Sequence, residues 1–168
     1  MISSDLILDS DLDDIIDGLP REVESLAGKR ILIAGGAGFL GRYFLAVFKR
    51  LNVEVLASPC KLSILDNFRV ADKALVGDIG KWGELLHADI CRDELPEGPF
   101  DWVIHAAGIA SPYYYRAYPL ETLEVATVGT ERLLRAAQAA RNVTVNFAKG
   151  GEYKTFMNSL YLFYNASL

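Results

Sequence analysis

Apolar positions along the chain fall into two patterns that alternate. Residues 30–34, 60–66, 84–88 and 100–105 are short apolar runs, long enough for buried strands and too short for helices. Residues 142–147 alternate and are rich in valine, which predicts a fifth strand. Between these runs the spacing becomes helical. Phe39, Leu40, Phe44, Leu45, Phe48 and Leu51 predict one helix. Leu123, Ala126, Leu133, Leu134 and Ala137 mark the buried side of another, over residues 120–141. Pro59 separates two strand-like segments and is poorly tolerated in a central strand. The second strand is therefore placed at 60–66, and residues 53–58 become an insertion or an early extended segment. Residues 68–83 read as a polar loop with at most a short helix. Strands alternating with helices predict an α/β fold, a doubly wound parallel sheet of about five strands.

The chain divides into an acidic helical arm (1–28), a main domain (29–149) and an atypical tail (150–168) where the pattern is lost. In the arm, Ser10 with Asp13 resembles a capping box. Leu12, Ile15, Ile16 and Leu19 then share one helical face, and Pro20 ends it. A second short helix over 21–27 would stop at Gly28. One apolar stripe says only that something covers it. The expectation is packing on the domain; contact with a second copy or another partner is the alternative.

Chemistry enters at Gly35, Gly36, Gly38 and Gly41, between the first strand and the first domain helix. Gly35 permits a tight turn, Gly38 leaves room for a pyrophosphate beside the backbone, and Gly41 lets helix and strand pack closely. The helix would point unpaired N–H groups and the positive end of its dipole at the phosphates. A glycine-rich turn without a ligand is the alternative. Asp66 closes the second strand, somewhat farther after Gly41 than the usual ~20 residues. Its carboxylate would accept hydrogen bonds from a ribose and repel a 2′-phosphate, which favours NAD over NADP; nearby Arg69 weakens that preference. Asp66-Asn67 would otherwise be a plain turn. Ala106, Ala107 and Gly108 follow the fourth strand, where small residues let a ligand approach the backbone. Tyrosines 113, 114, 115 and 118 either hold a sugar or base, or pack under the next helix.

Charge and composition narrow the rest. A net charge of −5 offers no general attraction to nucleic acid or an anionic membrane. No apolar run is long enough for a membrane span, and Met1 precedes acids rather than a basic and apolar leader. The expectation is a cytoplasmic protein with Cys60 and Cys91 as reduced thiols. Neither cysteine has metal-site or redox-motif spacing, and no second ligand is spaced to make His87 or His105 a metal site.

The segments Ala34-Gly-Gly-Ala-Gly-Phe-Leu-Gly41, Leu65-Asp66-Asn67-Phe68, Asp89-Ile90, Val103-Ile104-His105-Ala106-Ala107 and Gly129-Thr130 resemble, in order, the extended short-chain dehydrogenase/reductases. These are nucleotide-sugar epimerases, dehydratases and decarboxylases with a Rossmann-like fold. Ala110-Ser111-Pro112 with Tyr115, Pro119 and Thr122 is most similar to the UDP-glucuronate decarboxylases. The resemblance implies NAD as cofactor and a nucleotide sugar as partner once the site is complete. It puts Phe39 and Leu40 at the pyrophosphate turn, Asp66 and Asn67 on the adenosine ribose, and Asp89 and Ile90 beside the adenine. Ala106, Ala107 and Gly108 would line the way to the nicotinamide ribose, and Ser111 and Tyr115 would meet the sugar nucleotide.

The departures bear on catalysis. The family uses a tyrosine general base with a lysine four residues later, and no tyrosine here has that partner; after Tyr164 the position holds Leu168. Residues 148–153 hold no serine or threonine where a Ser/Thr segment is expected, and Ala126 stands where Asn is usual. The sixth strand and the sugar-binding part are missing, which suggests a truncated or frame-disrupted form. No catalytic residue is assigned. The expected function is the NAD(H)-binding portion of such an enzyme, catalytically incomplete. The alternatives are a non-catalytic dinucleotide-binding module or subunit completed by a partner chain, and an incompletely folded fragment; a homo-oligomer is left open as a separate partner reading.

Overall fold

The computed structural model describes residues 7–77 and 79–139. The expected fifth strand and the tail lie outside the described residues. Four strands form a parallel sheet: β1 (Arg30–Ala34), β2 (Lys61–Asp66), β3 (Gly83–His87) and β4 (Trp102–His105). Their order is β3-β2-β1-β4, so the chain steps outward from β1 to β3 and then crosses back to β1's other side. Ala34 pairs with Leu65 on one side and with His105 on the other, which aligns the carboxyl ends of three strands.

Side-chain alternation divides the core between the two faces of the sheet. Ile31, Ile33, Leu62 and Ile64 pack with Leu45, Phe48 and Leu51 of α2 (Phe39–Glu54). Leu32, Ala34 and Leu65 face the other way, onto Ala88, Ile90, Phe100 and Leu133. The arm belongs to the first of these clusters. Leu12 of α1 (Asp9–Gly18), and Val23 and Leu26 of the 3₁₀ turn Arg21–Leu26, are buried in it. Tyr43 Oη donates to Asp11, and Arg50 reaches Asp13, so polar contacts also tie α1 to α2.

Three expectations are corrected. Ser10 does not cap α1: Leu8 is the cap residue, Ser10 lies inside the helix, and no side chain caps it. Asp13 instead pairs with Arg50. Residues 53 and 54 are helical rather than extended, because α2 runs on to Glu54. The Leu51 carbonyl accepts from both Val55 and Leu56 N–H, which closes the helix. The buried Asn52 amide then clasps the returning chain, donating to the Cys60 carbonyl at 3.0 Å and accepting from its N–H at 2.8 Å.

The long helix over 120–141 is also interrupted. The structure has α3 (Pro112–Ala117), α4 (Pro119–Glu124), a π-helical turn (Val125–Gly129) and α5 (Thr130–Ala139). Thr122, Thr127 and Thr130 hydroxyls each donate to the carbonyl four residues back, a bond that bends helices. The π turn inserts extra backbone and rotates α5 relative to α4. Leu133 is buried as a result, while Leu123, Ala126 and Leu134 are exposed.

Candidate functional site

The aligned carboxyl ends of β1, β2 and β4 open into one crevice, at the point where the strand order reverses. Ligands bind at that point in open α/β sheets. Gly35, Gly38 and Phe39 form one lip; Asp66, Asn67 and Arg69 line it beyond β2, and Asp89, Ile90 and Arg92 beyond β3. Ala106, Ala107, Gly108 and Ser111 line the side beyond β4. The crevice thus gathers most of the residues singled out from sequence. Leu40 and Tyr115 are not among its lining residues and are partly exposed to solvent, while Gly41 is buried beneath the lip.

The glycines differ in what they do. Gly35 has φ +84°, and a Cβ there would lie 2.4 Å from the Ala107 nitrogen, so only glycine lets the exits of β1 and β4 touch. At Gly41 a Cβ would lie 2.1 Å from the Gly35 carbonyl oxygen, which makes this a packing glycine between helix and loop. Gly38 is different: a Cβ would meet only the Gly35 oxygen, at 3.3 Å. Gly38 is the residue before α2, so its free space is at the helix N-terminus, facing the crevice.

Asp66 organises both sides of its loop. Its Oδ2 accepts from the Ala37 N–H at 2.9 Å and its Oδ1 from the Phe68 N–H at 2.8 Å. A carboxylate has about four acceptor positions, so about two remain. Phe68 is held at φ 51°, unusual for a non-glycine residue, with the His87 ring edge-on at 5.2 Å. His87 Nε2 also lies 3.2 Å from the Asn67 carbonyl, so this histidine braces the turn. Asp89 accepts from Cys91 N–H, the Asn67 amide and Arg92. Burial alone would raise its pKa, but those donors outweigh it and hold the carboxyl below its ordinary value.

Sequence reasoning missed Arg92, Ala88, Ile109, Ala110, Glu121 and Val125 as lining residues. The Asp89–Arg92 pair at i, i+3 was a usable signal. For Glu121 and Val125 there was none, since the π turn decides where they sit. The cysteines stand apart from this chemistry. Burial pushes the Cys60 thiol up to about 11, and it is held by Asn52; such a thiol is inert. No cluster of metal-ligating side chains occurs among the described residues, and no described helix is long and apolar enough to cross a membrane.

His105 ends β4 with Nε2 3.4 Å from the Val125 carbonyl and Nδ1 buried without a partner among the described residues. Burial lowers its pKa below 6.5, opposed only in part by that carbonyl. The unfolded chain therefore takes up this proton before the folded one does. The stabilising effect is complete above about pH 6.5 and is lost as pH falls through the folded value. Melting temperature should drop on acidification from about pH 7.5 to about pH 5.5, and less so in His105→Asn. Equal drops in the two proteins would remove His105 as the cause. Asp89, held low, acts in a separate window beneath the ordinary carboxylate range.

A glycine lip at a helix N-terminus, an acid closing the next strand, and a crevice at the strand-order reversal together define a dinucleotide-binding α/β protein. Comparison with known proteins makes the class specific. Residues 31–153 match the model of the NAD dependent epimerase/dehydratase family. The chain belongs to this NAD-dependent family. UDP-glucuronic acid decarboxylase 1 of Danio rerio is 34% identical over 112 residues, 66% of this chain and 25% of that protein. UDP-glucuronic acid decarboxylase 5 of Arabidopsis thaliana is 32% identical over 114 residues, 65% of this chain and 30% of that protein. The chain thus spans between 25% and 30% of the length of these two relatives. Among solved structures, the Bordetella bronchiseptica enzyme WbmF in complex with NAD+ superposes with a TM-score of 0.57 at 26% identity, covering 71% of this chain and 35% of that one. WbmF with NAD+ and UDP gives the same score at 25% identity, covering 72% of this chain and 35% of that one.

Proposed function

We propose that this chain is the NAD(H)-binding portion of a nucleotide-sugar epimerase, dehydratase or decarboxylase, without a catalytic dyad of its own. The observation that carries the reading is the Gly38 space at the α2 N-terminus, facing the same crevice as the Asp66 carboxylate. Those two features suit a pyrophosphate and a ribose. In this reading the α2 N–H groups meet the phosphates, Asp66 and Asn67 hold the adenosine ribose, and Asp89 and Ile90 flank the adenine. Ala106, Ala107 and Gly108 lie toward the nicotinamide ribose, and Ser111 and Tyr115 toward a sugar nucleotide. When bound, NAD supplies a hydride acceptor. A UDP-sugar as partner is supported by the named decarboxylase relatives and by the neighbour solved with UDP. No tyrosine among the 168 residues has a lysine four positions on, so this reading assigns no proton acceptor within them.

The test is cofactor choice. The unaltered chain should bind NAD more tightly than NADP, by calorimetry, since the Asp66 carboxylate opposes a 2′-phosphate. Asp66→Ala should narrow that gap by about one to two decades, the worth of one charge-assisted contact. It should also weaken both cofactors, because Ala37 and Phe68 lose their shared anchor. Tighter binding of NADP by the unaltered chain would refute the assignment.

A further inference from the structure

The α4 helix is attached to the molecule in an unusual way. Neither it nor α3 buries a residue, and Leu120 and Leu123 are 77% and 61% exposed. The hydrogen bonds at their junctions, from Tyr118 N–H to Tyr114 and from Thr122 N–H to Tyr118, run within the segment. Yet α4 borders the crevice through Glu121. Each of its ends meets an arginine that lines the crevice from the opposite side. At the start, the Arg69 guanidinium lies over the Tyr118 ring, 5.9 Å from its centroid. At the end, Arg92 Nη2 lies 2.6 Å from Glu124 Oε2, while Nη1 holds Asp89 at 3.2 Å. Behind α4 comes the π turn, and then a fixed point: Gly129 is buried so tightly that a Cβ would lie 2.6 Å from Ile90 Cδ1.

We propose that α4 is a hinged wall of the nucleotide crevice, turning at the π turn and latched across the opening by Arg92–Glu124, with Arg69 on Tyr118 as a second pin. The π turn is suited to this because its threonine bonds compete with the helical ladder, and such turns recur at functional sites. With no residue fully buried to hold it, α4 is tied across the crevice by two part-exposed contacts that are cheap to part. A nucleotide then enters or leaves by parting them rather than by unfolding the core. The gating role rests on the nucleotide-binding reading; the latch itself does not.

Glu124→Gln separates the two. Glu124 is not a lining residue, and a carboxylate-to-amide change at this partly exposed side chain leaves the fold in place. Without ligand, hydrogen exchange measured by mass spectrometry should quicken over residues 112–125 in the variant and stay unchanged in β1 and β2. With NADH, followed by its fluorescence, release should be about two- to fivefold faster in the variant. Raising salt from about 0.05 M to about 0.5 M should speed release from the unaltered chain and have little effect on the variant, because screening acts on the same pair. Unchanged exchange over 112–125 would overturn the latch. Quickened exchange with unchanged release would overturn the gate. Failure of the unaltered chain to bind NADH would overturn the functional reading and the gate together, while quickened exchange would still support the latch.

Discussion

Gly38→Val should abolish NAD binding and leave the fold intact, whereas Gly41→Val should lose both. The two positions are three residues apart, Gly38 just before α2 and Gly41 in its first turn, and differ in what a side chain would meet. At Gly38 the backbone has φ −65°, open to any residue, and a Cβ finds only the Gly35 oxygen at 3.3 Å. The neighbour need give by only a few tenths of an ångström. The isopropyl group would stand at the α2 N-terminus, where phosphate oxygens would meet backbone N–H groups. Losing two charge-assisted bonds costs about 3–6 kcal/mol, about two to four decades in affinity. At Gly41 a Cβ would lie 2.1 Å from the Gly35 oxygen and 2.7 Å from the Gly36 Cα. Both are backbone atoms, so α2 itself would have to move off the sheet. Overpacking of this kind typically costs about 1–3 kcal/mol and here should cost more. Calorimetry with NAD and melting by circular dichroism read the two effects separately. Undiminished affinity in Gly38→Val would show that the loop is only a turn.

These 168 residues should not turn over nucleotide sugars by themselves. Oxidising a sugar hydroxyl requires a group to take its proton, and a lone tyrosine is a poor one. Unassisted, its pKa is about 10, so roughly one in a thousand is ionised at pH 7. A lysine four residues on would lower it, and none of the tyrosines has one. Of those in the described residues, Tyr43 is pushed the wrong way, its pKa raised chiefly by its hydrogen bond to Asp11. Tyr113, Tyr115 and Tyr118 are turned to solvent. General acid/base assistance is worth about 10²–10⁴-fold, and that factor is missing here. The check is chain plus NAD plus UDP-glucuronate, UDP-glucose or UDP-galactose, followed by chromatography for a new nucleotide sugar. Turnover near about 10 s⁻¹, a typical enzyme rate, would overturn the prediction.

How far the sequence could be read depended on whether a feature was set locally. The β1–glycine–α2 unit was legible because the apolar run, the turn glycines and the helical repeat are consecutive in sequence. β2, β3 and β4 were legible as short apolar runs. The end of α2 was not, because Asn52 bonding to Cys60 decides it, and a polar residue at the end of an apolar stripe gives no hint of that partner. The π turn was hidden for a similar reason. Gly129 read as a family motif, whereas its burial against Ile90 depends on a loop far away in sequence. At the crevice, residues next to a strand end could be named in advance. Those delivered by the interrupted helix, Glu121 and Val125, could not.

The arm has a consequence for where this protein can be cut. Similarity to the family begins at residue 31, at the first strand. The apolar cluster beneath that strand begins earlier, at Leu12, and takes in Val23 and Leu26 from the arm. Homology and folding therefore draw different boundaries. A chain begun where the resemblance begins would keep every motif and expose the α2 flank that the arm now shields from water. The unit that closes this apolar cluster is longer than the unit that resembles the family.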